Sequence, residues 1–186
     1  MGLRARSLYD KQGNIYFITT TVMNFDNIFS LGRKYNLILI DSLNYQLNEH
    51  KAQLFSYVIM PNHLHMVLYI PEFQSIIDLM RDFKRHTSLE IRKLAEKERR
   101  YYLLERLRSN AEFSKNQNYK VWMDRFDDLI ITTEEMMGIK VNYIHFNPVK
   151  AGLVEKPENW EFSSAKNYIL GDHSLIKINT SWEIDD

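Results

Sequence analysis

His63 and His65 are separated by a single residue, Leu64, in a stretch that is rich in apolar side chains. If this stretch is a β-strand, residues i and i+2 point to the same side, so both imidazoles face one way and Leu64 faces the core. Two neutral imidazoles on a rigid strand can bind a divalent metal ion. The pattern alone is weak, because histidines in strands are often simply packed or exposed to solvent. The preceding Pro61-Asn62 turn strengthens the interpretation as a metal site.

Tyr143 and Asn147 lie four residues apart in a predicted helix, which places their side chains about 40° apart on one face. Asn147 offers a neutral amide oxygen as a further metal ligand. Tyr143 offers a phenol, which becomes a nucleophile when a metal ion or a base helps to remove its proton. On spacing alone, a core tyrosine and a helix C-cap before Pro148 explain the two residues better.

The charge of the chain is balanced overall but unevenly distributed. Residues 81–108 carry ten lysines and arginines against five acids, and residues 155–186 carry seven acids against three lysines. A locally basic surface can bind the phosphates of a nucleic acid, but a solvated helix face with salt bridges is at least as good an explanation. A net charge of zero argues against a protein that coats nucleic acid by charge alone. The side chains predicted to contact phosphates are those of Arg81, Lys84, Arg85, Arg92 and Lys93.

Other titratable side chains have less specific positions. His145 points about 200° away from Tyr143 on the same helix, so it is predicted to be structural or to face DNA. His86, in the basic segment, is predicted to lie at the surface. Asp127 and Asp128 could contact a metal ion, although a salt bridge at the end of a strand is the favoured role. No two acids have a spacing that supports a glycosidase.

Composition excludes several kinds of site. The sequence contains no cysteine, which excludes disulfides, thiolate zinc sites and cysteine nucleophiles. Residues 1–14 are basic and polar without an apolar run behind them, and no apolar stretch is long enough to span a membrane. We therefore expect a cytoplasmic protein. Aromatic residues make up 13% of the chain, which suits a bulky core and also provides surfaces on which bases can stack.

The periodicity of apolar residues predicts a strand–helix–strand–strand–helix–strand–helix order. This is the α+β, ferredoxin-like split βαβ pattern, with a central antiparallel sheet, helices on one face, and a C-terminal helix that carries Tyr143, the candidate nucleophile. One domain of residues 1–186 is expected, with a core at about 15–154 and a tail at 155–186 that packs on it. Residues 98–119 either extend the second helix or form a loop. The predicted strands are 15–22, 52–60, 64–70 and 121–132, and the predicted helices are 31–49, 75–97 and 134–145, the last ending near Pro148.

Four blocks of sequence, in this order, resemble the single-tyrosine HUH transposases of the IS200-like type, and especially the REP-associated tyrosine transposases. The blocks are YVIMPNHLHMVL at 57–68, VWMDRF at 121–126, NYIHFNPVKAGLV at 142–154 and WEFSSA at 160–165. The resemblance runs from about residue 15 to residue 168. The combination of four ordered blocks is far more specific than any single one of them.

The resemblance implies an activity and a site. His63 and His65 match the histidines that bind the metal ion, Tyr143 matches the nucleophile, and Asn147 matches a polar residue that completes the metal site. The implied cofactor is Mg²⁺ or Mn²⁺, and the implied partner is single-stranded DNA or a DNA hairpin. Cleavage and rejoining would then pass through a 5′-phosphotyrosine intermediate. Relatives act as monomers or as dimers, so a homodimer is one of the open possibilities.

Three other functions remain open at this point. The first is a non-catalytic module that binds a hairpin or single-stranded nucleic acid. The second is a metal-dependent nuclease or phosphodiesterase that uses water as the nucleophile and forms no tyrosine adduct. The third is a ferredoxin-like protein that binds a small molecule, and only the predicted fold supports this function.

Overall fold

The computed structural model describes residues 13–112 and 118–184. It contains a four-stranded sheet and five α-helices. The strands are β1 (Gly13–Thr21), β2 (Gln53–Met60), β3 (His63–Pro71) and β4 (Asp127–Ile130). The helices are α1 (Arg33–Glu49), α2 (Ile76–Lys97), α3 (Tyr101–Asn110), α4 (Glu134–Lys150) and α5 (Ala165–Leu170). Short 3-10 turns occur at Met23–Phe25, Ile28–Leu31 and Pro157–Asn159.

The sheet has the strand order β2-β3-β1-β4, and each neighbouring pair is antiparallel. With the helices in sequence, this gives the β-α-β-β-α-β arrangement of a ferredoxin-like fold, so the predicted α+β fold is confirmed. β2 and β3 are joined by the turn at Pro61 and Asn62. This turn places the start of β3 beside the end of β1, where Thr21 is opposite His63.

The two faces of the sheet pack against different helices. On β3, Leu64 and Met66 point into a core that α1, α2 and α3 complete. Val67 and Tyr69 point the other way, into a second core to which α4 contributes Met137, Val141 and Ile144. The alternation arises because successive side chains on a strand face opposite sides. His63 and His65 therefore lie on the face that α4 covers. The side chains that α4 places in the second core are all buried.

Local signals at the helix ends agree with the structure. Ser75 caps α2 by accepting a hydrogen bond from the backbone N–H of Asp78, and Thr133 caps α4 in the same way with Met136. The predicted end of α4 was wrong, because the helix continues past Pro148 to Lys150. A proline in the last turn removes only one backbone donor near the helix end, and its buried ring adds apolar contact there.

Two segments differ from their predictions. Residues 101–110 form a separate helix, α3, because the chain turns at Arg99, whose φ of 54° lies in the left-handed region. The fourth strand spans only Asp127–Ile130 rather than 121–132. The Lys84 ammonium explains the shortening, because it draws three consecutive backbone carbonyls, at 123–125, away from strand geometry. The part of the predicted loop at 113–117 lies outside the described residues.

The segment after α4 lies against the sheet and the helices. Ile176 and Ile178 are buried in the core formed with α1 and α2, and Ile184 in the core under α4. The backbone N–H of Asn179 donates to the carbonyl of Leu54 on β2. Within the ranges 13–112 and 118–184, none of the helices combines the length and the apolar character needed to cross a bilayer.

Candidate active site

His63 and His65 form a pair of imidazoles at the start of β3. Their ring centroids are 4.6 Å apart with the rings nearly perpendicular, while Leu64 between them is fully buried on the opposite face. The two-residue period of a strand accounts for this arrangement. The histidines lie opposite Thr21 and Thr19 of β1, respectively, so the pair is held by the central pairing of the sheet.

Asn62 fixes which nitrogen of His63 carries the proton. The amide nitrogen of Asn62 donates to the backbone carbonyl of Phe25 at 3.1 Å, so its Oδ1 must face the ring. That oxygen lies 2.6 Å from His63 Nδ1 and can only accept, so Nδ1 is the protonated nitrogen. Nε2 of His63 is then left with a free lone pair. This is the arrangement in which a histidine binds a metal ion, with the other ring nitrogen bonded to a neighbouring oxygen.

His65 is enclosed by Thr19, Phe17 and Tyr143. Its Nδ1 lies 2.8 Å from the hydroxyl of Thr19, and its ring stacks on Phe17 with a centroid distance of 5.6 Å. Its Nε2 faces the hydroxyl of Tyr143 at 3.5 Å. The hydrogen bond on Nδ1 and the stacked ring together restrict the orientation of the imidazole, so that Nε2 points toward the phenol.

Both imidazoles are neutral near pH 7. Burial lowers the pKa of His63 below its usual value. Burial also lowers the pKa of His65 to about 3, with smaller contributions from the neighbouring His63 and from the positive charge of Lys140. Removal of an imidazole from water disfavours its charged form. Each neutral ring therefore keeps one nitrogen with a free lone pair, which is what a metal ion requires of a histidine ligand.

Tyr143 extends from α4 over the histidine pair. Its ring makes an edge-to-face contact with His65 at 5.2 Å between centroids and a similar contact with Phe17 at 5.9 Å. The residue is still 40% exposed, so its hydroxyl is accessible from solvent. It is therefore not the buried core tyrosine that spacing alone favoured. The structure brings the predicted nucleophile and the two histidines together in one chain.

Asn147 follows Tyr143 by one helical turn and is half-buried. Its backbone carbonyl accepts from the N–H of Ala151, the residue after the helix. Among residues 13–112 and 118–184, no group of three or more His, Asp and Glu side chains could hold a metal ion. A contact between the Asn147 side chain and the two imidazoles is not among the interactions of the described residues, so its role as a third ligand stays a prediction.

The comparison with known families decides the assignment. The sequence model described as "Transposase IS200 like" matches residues 31–147 of this chain, a region that includes both histidines, Tyr143 and Asn147. The chain belongs to the IS200-like transposase family. The predicted resemblance to single-tyrosine transposases is therefore confirmed.

Two relatives narrow the comparison. A Haemophilus influenzae protein whose name places it among the REP-associated tyrosine transposases is 29% identical over 115 residues, which cover 57% of this chain and 54% of the relative. The match thus spans about half the length of that relative. A solved structure of a REP-associated tyrosine transposase bound to a REP hairpin aligns with a TM-score of 0.62, over 94% of this chain and 87% of that one. The identity in this second match is 20%, so it establishes the fold.

The basic side chains of α2 that were predicted to contact phosphates have partners within the protein. Arg81 forms ion pairs with Asp78 and Asp82, and Arg85 lies 3.7 Å from Asp82. Lys93 pairs with Glu90 at 2.7 Å. All of these residues are partly or largely exposed. This placement favours the alternative of a solvated helix face with salt bridges.

Lys84 and Arg92 are the other two side chains of α2 that were predicted to contact phosphates. Lys84 donates to three backbone carbonyls at 2.7 to 3.3 Å, and burial lowers its pKa to about 8. Arg92 lies 3.7 Å from Glu96, and its guanidinium stacks over the ring of Tyr119. A phosphate would have to displace these contacts. Binding of nucleic acid by the five α2 side chains stays a prediction.

His145 lies on the opposite side of α4 from Tyr143 and is buried. Its Nε2 is 2.8 Å from the hydroxyl of Ser164 and 3.3 Å from that of Ser56 on β2, and burial lowers its pKa to about 4. The alternative that it faces DNA was wrong, whereas the structural role is supported. His86 is exposed, as predicted.

Asp127 and Asp128 are exposed on β4, the edge strand. Asp127 is opposite Thr19 on the histidine face and is separated from His65 by β1. The salt bridge predicted for this acidic pair is not formed within residues 13–112 and 118–184. Both residues remain outside the cluster that surrounds the imidazoles.

Sequence reasoning missed several residues of the site. Asn62 was assigned only to a turn, although its position directly before His63 is a usable signal. Lys140 and Lys150 were not considered, although their spacing places them on the same side of the helix as Tyr143 and Asn147. Phe17 and Thr19 carried no signal at all, since their contact with His65 depends on the pairing of β1 with β3.

Proposed function

We propose that this chain is a metal-dependent transesterase that cleaves and rejoins single-stranded DNA through Tyr143. The observation that carries the proposal is the 3.5 Å distance between the Tyr143 hydroxyl and Nε2 of His65, next to a second neutral imidazole. Membership of a transposase family supports strand cleavage and joining in general. The particular chemistry, the metal and the roles of the residues are the proposal.

His63, His65 and Asn147 are the residues that would hold the divalent metal ion. The donor set fits, because both imidazoles are neutral and each Nδ1 is already hydrogen-bonded to a neighbouring oxygen. Mg²⁺ or Mn²⁺ bound there would act as a Lewis acid that polarises a phosphate oxygen. Asn147 is placed in the set by its position one turn after Tyr143.

The reaction assigned to Tyr143 is an in-line displacement at phosphorus. The phenol loses its proton to solvent, its oxygen forms a bond to the scissile phosphorus, and the bond from phosphorus to the 3′ oxygen breaks. The leaving 3′ oxygen takes up a proton from solvent. The products are a 5′-phosphotyrosine and a strand that ends in a 3′-hydroxyl. Because the phosphoester bond is retained, a 3′-hydroxyl can reverse the step and join strands without a nucleotide cofactor. Positioning of Tyr143 by α4 supplies much of the rate.

The proposed substrate is single-stranded DNA next to a short hairpin. The solved relative with the same fold is described as bound to a REP hairpin, which supports this choice. Exposed aromatic side chains suit unpaired bases, and Phe25 lies close by, since its carbonyl accepts from Asn62. The histidines and Tyr143 meet within one chain, so the proposed site needs no second subunit to bring them together. We also propose that core and C-terminal tail act as one domain.

The experiment incubates the protein with a 5′- or 3′-labelled hairpin oligonucleotide and Mn²⁺, and resolves the products on a denaturing gel. Wild type should give a shortened strand with the 5′-labelled oligonucleotide and, with the 3′-labelled one, a protein–DNA adduct that survives denaturation. Tyr143→Phe should abolish both, because phenylalanine has no hydroxyl. Tyr45→Phe is the matched control, since Tyr45 is an exposed tyrosine on α1, which packs on the opposite face of the sheet.

The other outcomes separate the remaining functions. Cleavage without an adduct, unaffected by Tyr143→Phe, would identify a nuclease that uses water. Hairpin binding without any cleavage in a series of divalent metals would identify a binding module. His63→Ala should abolish cleavage and leave much of the hairpin binding, whereas equal loss of both would show that His63 is needed for folding.

A further inference from the structure

α4 carries a stripe of four polar side chains on the face that looks toward the histidines. The spacing of Lys140, Tyr143, Asn147 and Lys150 places all four within about 80° around the helix axis. Lys140 precedes Tyr143 by almost one turn, and Lys150 follows it by two turns. A positive charge therefore lies on each side of the tyrosine along the helix.

The two lysines have no acidic partner. Among the described parts of the chain, neither Lys140 nor Lys150 forms an ion pair or a hydrogen bond through its ammonium group. The basic residues of α2 differ in this respect, because Arg81 and Lys93 are each paired with a carboxylate. An unpaired ammonium group keeps its full charge available for an incoming anion.

Both ammonium groups lie against rings of the site. Lys150 Nζ is 5.8 Å from the centroid of the Tyr143 ring, and Lys140 Nζ is 4.5 Å from the centroid of Phe17, whose ring stacks on His65. Contact with the face of an aromatic ring is itself favourable for a cation and limits where the flexible chain can go. The charges are thus held next to Tyr143 and His65 rather than spread into solvent.

We propose that Lys140 and Lys150 form a binding site for backbone phosphates of a single DNA strand, one on each side of the scissile phosphate. This inference rests on the proposed function, because it takes Tyr143 as the point at which the strand is cut. The proposed phosphate contacts next to the site therefore lie on α4, whereas the sequence predicted phosphate contacts on α2. One lysine on each side of the nucleophile would bind the strand across the site and add positive charge near the reacting phosphate.

The helix dipole does not account for the pair. Lys150 lies in the last turn of α4, where a cation is favoured by the helix dipole. Lys140, however, is in the middle of the helix, where this effect is absent.

The test measures the salt dependence of DNA binding without any cleavage. Fluorescein-labelled oligothymidylate is titrated with Tyr143→Phe protein in EDTA over a series of salt concentrations. Each lost phosphate contact should lower the slope of log affinity against log salt by about 0.7. Lys140→Gln and Lys150→Gln should each show this loss, and the double variant should show their sum. Lys177→Gln is the control, an exposed lysine between Ile176 and Ile178, which are buried on the opposite face of the sheet.

Rescue distinguishes a phosphate contact from a change in folding. Lys150→Arg should keep the original slope, because arginine also binds phosphate, and far-UV circular dichroism should show unchanged unfolding for all variants. An unchanged slope in the Gln variants, an equal loss in Lys177→Gln, or no binding of the parent would overturn the proposal. Failure of the wild type to form an adduct would instead overturn the transesterase function, and the salt slopes would still report on the two lysines.

Discussion

Replacement of Asn62 by alanine should weaken metal binding at His63 without unfolding the protein. In the structure, the amide oxygen of Asn62 lies 2.6 Å from His63 Nδ1, and the contact of its nitrogen with the Phe25 carbonyl fixes which way it faces. Without this acceptor, the ring of His63 can rotate, and the proton can move to Nε2, which then cannot bind a metal ion. The backbone of residue 62 keeps its bond to Val22, so the turn should persist.

The expected loss of Mn²⁺ affinity follows from the hydrogen bond between Asn62 and His63 that the variant lacks. A hydrogen bond between neutral groups contributes about 0.5–1.5 kcal/mol net, and loss of an outer-shell partner of a metal-binding histidine costs roughly 10–100-fold in affinity. We therefore expect Asn62→Ala to bind Mn²⁺ about tenfold more weakly, which corresponds to ~1.4 kcal/mol. Isothermal titration of Mn²⁺ into the DNA-free protein measures this directly, and thermal unfolding checks that the fold is intact.

Two further variants make the experiment decisive. Asn62→Asp keeps an acceptor oxygen beside Nδ1, so its Mn²⁺ affinity should equal or exceed that of the wild type. Asn48→Ala removes an exposed asparagine near the end of α1 and should leave the affinity unchanged. If Asn62→Ala binds Mn²⁺ as tightly as the wild type while remaining folded, the strand alone orients His63, and our reasoning about the tautomer is refuted.

Three other changes test the surrounding structure. Lys84→Met should lower the free energy of unfolding by about 1–3 kcal/mol, because three backbone carbonyls lose their donor. Urea denaturation measures this. Normal stability together with a smaller slope of log DNA affinity against log salt would instead identify Lys84 as a phosphate contact. Gly138→Ala should raise stability by roughly 0.5–1 kcal/mol, since alanine favours a helix and the added carbon meets only Trp182, at an ordinary 3.9 Å; a lower melting temperature would contradict this. His145→Phe should destabilise the protein by about 1–3 kcal/mol, because the buried hydroxyls of Ser164 and Ser56 lose their contacts with the ring nitrogen. An unchanged unfolding curve would show that these hydrogen bonds contribute little.

The orientation of the histidine pair could be predicted from sequence, because it depends only on the alternation of a strand. The order of strands and helices along the chain followed from apolar periodicity, and the hairpin of β2 and β3 from the turn at Pro61. The same local reasoning placed Ser75 at the start of α2. Each of these features is decided by residues close together in the chain, where propensity and periodicity act.

The approach of Tyr143 to His65 could not be predicted from spacing. It depends on α4 packing on the opposite face of the sheet from α1 and α2, which brings together residues 78 positions apart. The end of α4 was missed because a buried Pro148 is tolerated in a last turn. The short fourth strand was missed because its cause, the ammonium group of Lys84, comes from a distant helix.

The Ser56–His145–Ser164 cluster fixes the position of α4, the helix that carries Tyr143. Apolar side chains such as those under α4 permit a helix to slide or rotate at modest cost, since one methyl group can replace another. A hydrogen bond between a ring nitrogen and a hydroxyl permits neither movement. The distance between the Tyr143 hydroxyl and His65 is thus set in part by hydrogen bonds on the opposite side of α4. A change at Ser164, a residue with no contact to the imidazole pair, should therefore shift Tyr143 relative to His65.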